Sequence, residues 1–249
     1  MELERWAYLP YCSFSAGLVD EDKLDTAYYT LTFDDIVYRD LNIILPNLIT
    51  DVIFSERFNN DITKISWPES LRTLKLGSKF NQDISAISWS KCPRLNLIDL
   101  GNGFHQDISK ISWPPALLYL NLGFSDITHI KPISSLKKLR LGNLFNHDIT
   151  YVKWTLFQSL YSLNLGESFN RDISLVIFPQ SMGIITFGQA FDQDLHKVNF
   201  HNIGIIHDYS NKITLDSCKF PESLKQITHH EFIKYMRVYK HIIYYERPM

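Results

Sequence analysis

Seven aspartates recur along the chain at nearly even spacing: Asp61, Asp83, Asp107, Asp126, Asp148, Asp172 and Asp194. If successive copies sit on neighbouring turns of a parallel stack, about 4.8 Å apart, their carboxylates form a column, and such a column is one way to hold calcium. Calcium takes about six to eight oxygens, and one acid per repeat without a glycine-rich loop leaves that shell unfilled. The sequence therefore favours a structural reading: each acid accepts backbone N–H groups at a corner of the chain and faces water, with no metal bound.

Histidine offers a second possibility. His196, His201 and His207 are separated by gaps of five and six residues, and His229 and His230 are adjacent. Zinc sites favour tighter pairs joined to cysteine or further histidine, and only Cys218 lies near. These histidines are read as surface or turn side chains. Cys12, Cys92 and Cys218 are odd in number and never at C-x-x-C spacing. That pattern fits reduced thiols and an intracellular, cytoplasmic setting rather than a disulfide framework.

Catalysis on a stacked sheet, as in polysaccharide-cleaving β-helices, would need acids paired on adjacent strands. The outward strand positions read from the pattern are Asp51, Lys75, Asp99, Asn121, Arg140, Asn164 and Thr186. Only two are acids, and they lie far apart. No G-x-S-x-G, phosphate loop or H-E-x-x-H occurs, so no catalytic residue and no cofactor is assigned. What the row offers, with Tyr119 alongside, is a varied polar strip of the kind solenoids use to bind proteins. Lys75, Asp99, Tyr119, Asn121, Arg140 and Asn164 are the candidate partner-binding residues.

The elements that would position this strip follow from one recurring phrase. It reads LKLGSKFNQDI at 74–84, IDLGNGFHQDI at 98–108, LRLGNLFNHDI at 139–149 and LNLGESFNRDI at 163–173. Self-similarity at about 22 residues marks a solenoid, in which each unit buries its apolar face only against its neighbours. Within one copy, Leu74 and Leu76 alternate with Thr73 and Lys75, as in a half-buried strand. Gly77 then marks a tight turn, Phe80 re-enters the core, and Asn81 is placed to bond neighbouring backbone as the chain turns. Ile84 and Ile87 continue inward. Trp67-Pro68, Trp113-Pro114, Phe178-Pro179 and Phe220-Pro221 hold the next wall extended. The phenylalanines Phe58, Phe80, Phe104, Phe124, Phe145, Phe169 and Phe191 should form a buried column, although the copy around Phe124 is three residues short.

The register extends backward, with Pro46, Ile49, Val52, Phe54 and Phe58 at the offsets of Pro68, Leu71, Leu74, Leu76 and Phe80, and more loosely to Tyr28, Leu31 and Phe33. FPESLKQIT at 220–228 matches WPESLRTLK at 67–75 and places a last strand near Leu224–Thr228, while 199–212 repeats poorly. The expected organisation is an N-terminal cap over 1–27, a solenoid over 28–229 that is clearest over 46–194, and a C-terminal cap over 230–249. Phe232, Tyr235, Met236, Tyr239 and Ile243 fall at helical spacing, so that cap is expected to be a helix.

Composition supports this frame. The 249 residues are 45% hydrophobic and 14% aromatic, ample for a continuous core, and the net charge is −2. No basic stripe marks a nucleic-acid surface, and no apolar run reaches membrane-spanning length.

The phrase L-x-L-G-x-x-F-N-x-D-I, with W-P-x-S-L between copies, resembles the FNIP repeat, a leucine-rich-repeat-like module known chiefly from social amoebae and giant viruses of amoebae. Six copies keep the glycine and five keep Phe-Asn or Phe-Asp. The resemblance implies a right-handed coil of short parallel strands, roughly 8–10 turns, and protein binding without catalysis. The expected location is intracellular and cytoplasmic, in the host cytoplasm if the chain is viral. Some family members carry an N-terminal F-box, which would make the protein a substrate-recognition subunit of a ubiquitin ligase; residues 1–45 lack the helical leucine pattern of that domain. A carbohydrate-acting β-solenoid enzyme is the alternative from another class. The expected partner is a protein, neither nucleic acid nor membrane.

Overall fold

The computed structural model describes residues 12–18, 27–33, 41–210, 212–213, 222–229, 235–239 and 242–246. The chain divides into two compact units, Met1–Asn121 and Leu122–Met249.

The first unit holds β1 (Cys12–Leu18), β2 (Ala27–Phe33), β3 (Asp51–Phe54), β4 (Thr73–Lys75), β5 (Leu97–Asp99) and β6 (Tyr119–Asn121). β1 runs antiparallel to β2, and β2 to β6 are parallel in sequence order. Leu31, Val52, Leu74, Ile98 and Leu120 lie side by side in register and are all buried. This is the ladder of like residues that the repeat predicts, and the register reaches back through β2 as the spacing of Leu31 and Phe33 indicates.

The second unit holds β7 (Lys138–Arg140), β8 (Ser162–Asn164), β9 (Ile184–Phe187), β10 (Ile205–Asp208), β11 (Gln226–His229), β12 (Tyr235–Tyr239) and β13 (Ile242–Glu246). β7 to β11 are parallel, and Leu139, Leu163, Ile185, Ile206 and Ile227 form their buried row. β10 lies within the stretch that repeats poorly in sequence, yet Ile206 keeps the row unbroken. Each unit is thus a stretch of parallel-strand β-solenoid of leucine-rich-repeat type.

The strands are short because each repeat turns three corners. After the strand, the Phe80 N–H bonds Gly77 O at 2.9 Å; the Ile87 N–H then bonds Ile84 O, and on the wall before the strand Leu71 N–H bonds Pro68 O. At each corner the side chain of the donor residue is apolar and buried. The second unit repeats the scheme at Phe145, Val152 and Leu160. Phe80, Phe104, Phe145 and Phe169 are all fully buried. Their rings stack between turns: Phe58–Phe80 and Phe80–Phe104 at 6.1 Å in the first unit, and Phe145–Phe169 at 6.0 Å and Phe169–Phe191 at 6.2 Å in the second.

Two expectations are corrected here. Phe124 does not fill the phenylalanine column: it is half-buried, and Ser125 takes the buried corner instead, with its N–H directed at Leu122 O. The shortened loop lacks the residues needed to carry the ring inward. The helix expected over 230–249 is replaced by strands, since β13 pairs parallel with β11 and β12 pairs antiparallel with β13. Tyr235, Val238, Tyr239, Ile242, Ile243, Tyr244 and Tyr245 are aromatic or β-branched and suit a strand. β13 also pairs with the backbone of β11, which a helix would leave unpaired. Phe232, one of the residues behind the helical reading, lies outside the described residues.

Candidate functional site

Three repeated polar positions are fully accounted for by the fold. Each aspartate of the column accepts the backbone N–H two residues on: Asp61 from Thr63, Asp83 from Ser85 and Asp107 from Ser109 in the first unit, at 2.8–2.9 Å. In the second unit Asp126, Asp148, Asp172 and Asp194 do the same with Thr128, Thr150, Ser174 and His196. All seven are exposed. The bonds hold several of these carboxyls below the usual range: the Thr63 side chain and amide at Asp61, the Ser174 amide and side chain at Asp172, and the His196 amide and side chain at Asp194. An ionised acid accepting a corner amide is the expected local device.

The asparagine that follows Phe58, Phe80, Phe145 and Phe169 links one turn to the next. Asn59 Oδ1 accepts the Asn81 N–H at 2.8 Å, and Asn81 Oδ1 accepts the His105 N–H at 3.0 Å. In the second unit Asn146 accepts from Asn170, and Asn170 from Asp192, both at 2.9 Å. The residue that follows adds a second tie, as Gln82 and Gln106 donate to the backbone oxygens of Asn59 and Asn81. The serine of P-x-S-L works on another wall: the Ser70 hydroxyl donates to Ile49 O, and Ser181 to Leu160 O.

The histidines do not gather. His196 bonds Asp194 at 2.8 Å on the surface, His201 is exposed in a turn, His207 stands on β10 and His229 ends β11, while His230 lies outside the described residues. Among the described residues no group of three or more His, Cys, Asp or Glu could hold a metal ion. Cys92 is buried, and burial pushes its thiol up to about 11, which leaves it unreactive at neutral pH.

The outward face of the strands is different, because its residues do not repeat. In the first unit Lys75, Asp99 and Asn121 share one row with Ile53, not with Asp51. Asp51 aligns with Thr73, Leu97 and Tyr119 in the second row, because Val52 is the counterpart of Leu74 and Asp51 precedes it as Thr73 precedes Leu74. Lys75 is exposed, and Asp99 and Tyr119 are half-buried. Asn121 is only 4% exposed; its Nδ2 donates to Asp99 Oδ1 at 2.8 Å, and the same oxygen accepts the Gly101 N–H. Asn121 therefore positions Asp99 and contributes little surface of its own.

In the second unit Arg140, Asn164, Thr186, His207 and Thr228 form one row, and Lys138, Ser162, Ile184, Ile205 and Gln226 the other. Arg140 is half-buried, its Nη2 donating to Asn143 Oδ1 at 3.3 Å. Asn164 Oδ1 accepts the Gly166 N–H at 2.9 Å and so closes the end of its own strand. The sequence reading missed His207, Thr228 and Lys138. The signal was available, since Thr186, His207 and Thr228 are each 21 residues apart.

Short parallel strands, a buried leucine ladder and corners closed by repeated residues define a repeat protein of leucine-rich-repeat character. Residues 41–79 match the family model of the FNIP repeat. Among solved structures it is similar to CroV588, described as a circular LRR protein, with 20% identity, 80% of this chain and 43% of that chain covered, and a TM-score of 0.37. A leucine-rich repeat protein from Bacteroides ovatus ATCC 8483 is similar at 12% identity, with 86% and 69% covered and a TM-score of 0.30. The chain thus spans less than half the length of the first of these. No curated protein matches it. Among the described residues no helix is long and apolar enough to cross a membrane.

Proposed function

We propose that the protein is a non-enzymatic interaction scaffold whose outward strand rows bind a protein partner. One observation carries this reading. The repeated leucine, phenylalanine, aspartate, asparagine and glycine positions are spent on building the frame, while the residues that differ from turn to turn stand on the strands. A varied surface on a constant frame is how solenoids generate specificity. Support against an enzymatic reading comes from the acids: Asp99 is tied to Asn121 and Gly101, and the column acids are tied to their corners.

The test is comparative capture from cell lysate. Tyr119→Ala in the first unit and Arg140→Glu in the second should each leave the melting transition in place and each lose proteins that the wild type retains. Leu175→Ser, at a residue 77% exposed outside the strands, should keep them. Undiminished capture by both row variants, with loss in Leu175→Ser, would move the binding surface off the strands.

A further inference from the structure

From the charge on the strand rows of the second unit, we infer that this face takes an extended acidic peptide segment, in which a carboxylate lies about three residues from an aliphatic side chain. The inference rests on the scaffold reading above and names the partner chemistry for part of it.

Both outward positions of β7 are cationic, Lys138 and Arg140. Lys138 is exposed, and neither residue has an ion-pair partner among the described residues. The Arg140 Nε is shielded from solvent and has no hydrogen-bond partner there, so its guanidinium is only partly satisfied by Asn143. From β7 to β11 no carboxylate stands in either row: the other positions there are Ser162, Asn164, Ile184, Thr186, Ile205, His207, Gln226 and Thr228. The nearby acids are engaged elsewhere. Asp208 is fully buried and accepts from Ser210 and Ile213, and Glu167 lies beyond the strand, accepting the Gln189 N–H.

Two cations without an ion-pair partner among the described residues, in rows that hold no carboxylate from β7 to β11, attract a negative group, and electrostatic complementarity fixes register as well as encounter rate. Two strands further along, Ile184 and Ile205 stand adjacent in register and half-buried. Between them and the cations lie only Ser162 and Asn164. Crossing two strands covers roughly 10 Å, which about three residues of an extended chain span. In the row beside the isoleucines Thr186 and Thr228 are buried and His207 is half-buried, so His207 is the member of that row placed to meet a peptide backbone. A nucleic acid fits less well, because two cations neutralise little of a phosphate backbone and the rows from β7 to β11 hold no Phe, Tyr or Trp for base stacking.

The experiment is selection of a random peptide library, displayed on phage, against the full chain. The expected result is enrichment of Asp or Glu about three residues from Ile, Leu or Val. A synthetic peptide from that pool should bind Lys138→Glu about tenfold more weakly than wild type, with steeper loss in salt for the wild type. Lys138 is exposed, so this variant keeps its fold, and Arg140→Glu provides the second arm. Enrichment of peptides without an acidic preference, lost on Thr186→Arg, would overturn the charge assignment while leaving the scaffold reading standing. Binding of polyuridylate that depends on Lys138, with no acidic peptide enriched, would overturn it in favour of nucleic acid. Enrichment of nothing by this face would sink the inference and count against the scaffold reading in this unit.

Discussion

Phe169→Ala is expected to lower the free energy of unfolding by about 3–5 kcal/mol. The ring is fully buried and lies between Phe145 and Phe191, nearly parallel to both, with interplanar angles of 15° and 5°. Each corner is fixed by a short turn, with the Phe145 N–H bonded to Gly142 O and the Phe191 N–H to Gly188 O. The chain therefore has little freedom to collapse into the space that a missing ring would leave, and the full cavity cost is retained. Denaturant unfolding of the purified variant measures the change. A loss below about 1 kcal/mol would show that the column is not the core it forms on the structure.

Gly166→Ala is expected to cost about 2–4 kcal/mol through two separate causes. Its φ of 81° lies in the left-handed region that side chains disfavour. A Cβ there would also overlap the backbone oxygen of Gly142, an atom that cannot move without shifting the neighbouring turn. Gly183→Ala is the informative control. The three atoms nearest its Cβ would all belong to the ring of Tyr161, a side chain 48% exposed rather than backbone, so the cost should be under about 1 kcal/mol. Thermal unfolding of the two variants side by side would decide the matter, and equal losses would show that the backbone approach at Gly166 is not limiting.

These positions indicate how much of the molecule was legible in the sequence. The buried ladder from Leu74 to Leu120 and the ring column were readable because a solenoid places the same residue in the same environment once per period. The aspartate corners were readable for a related reason: Asp-Ile-Ser or Asp-Ile-Thr is a local motif whose bond spans two residues. Asn81 was recognisable as a corner residue, but not its partners, because its bonds reach residues 22 and 24 positions away. Such links depend on the pitch of the coil and have no local signature.

The candidate strip was legible in outline only. Outward positions follow from alternation, yet alternation alone gave no warning that Asn121 is buried against Asp99, whereas the place of Asp51 in the Tyr119 row was already implied by Val52 standing at the offset of Leu74. His207 was hidden because the corner residues around it depart from the phrase, although the isoleucine beside it keeps the spacing. The C-terminal strands were missed because Tyr235, Met236 and Tyr239 satisfy helical spacing as well as strand propensity. Tertiary pairing with β11 decides between the two.

The central claim is a division of labour, with repeated residues holding the frame and non-repeating strand residues forming the surface that meets a partner. A scan of single substitutions across the chain, read as cellular abundance of the folded protein, tests it most directly. The account predicts that charged substitutions at Leu74, Phe104, Leu139 and Phe169 abolish accumulation, whereas those at Lys75, Tyr119 and Lys138 leave it near wild type. Loss of abundance at those three strand positions equal to the loss at Leu74 would contradict it, because the row would then be part of the frame.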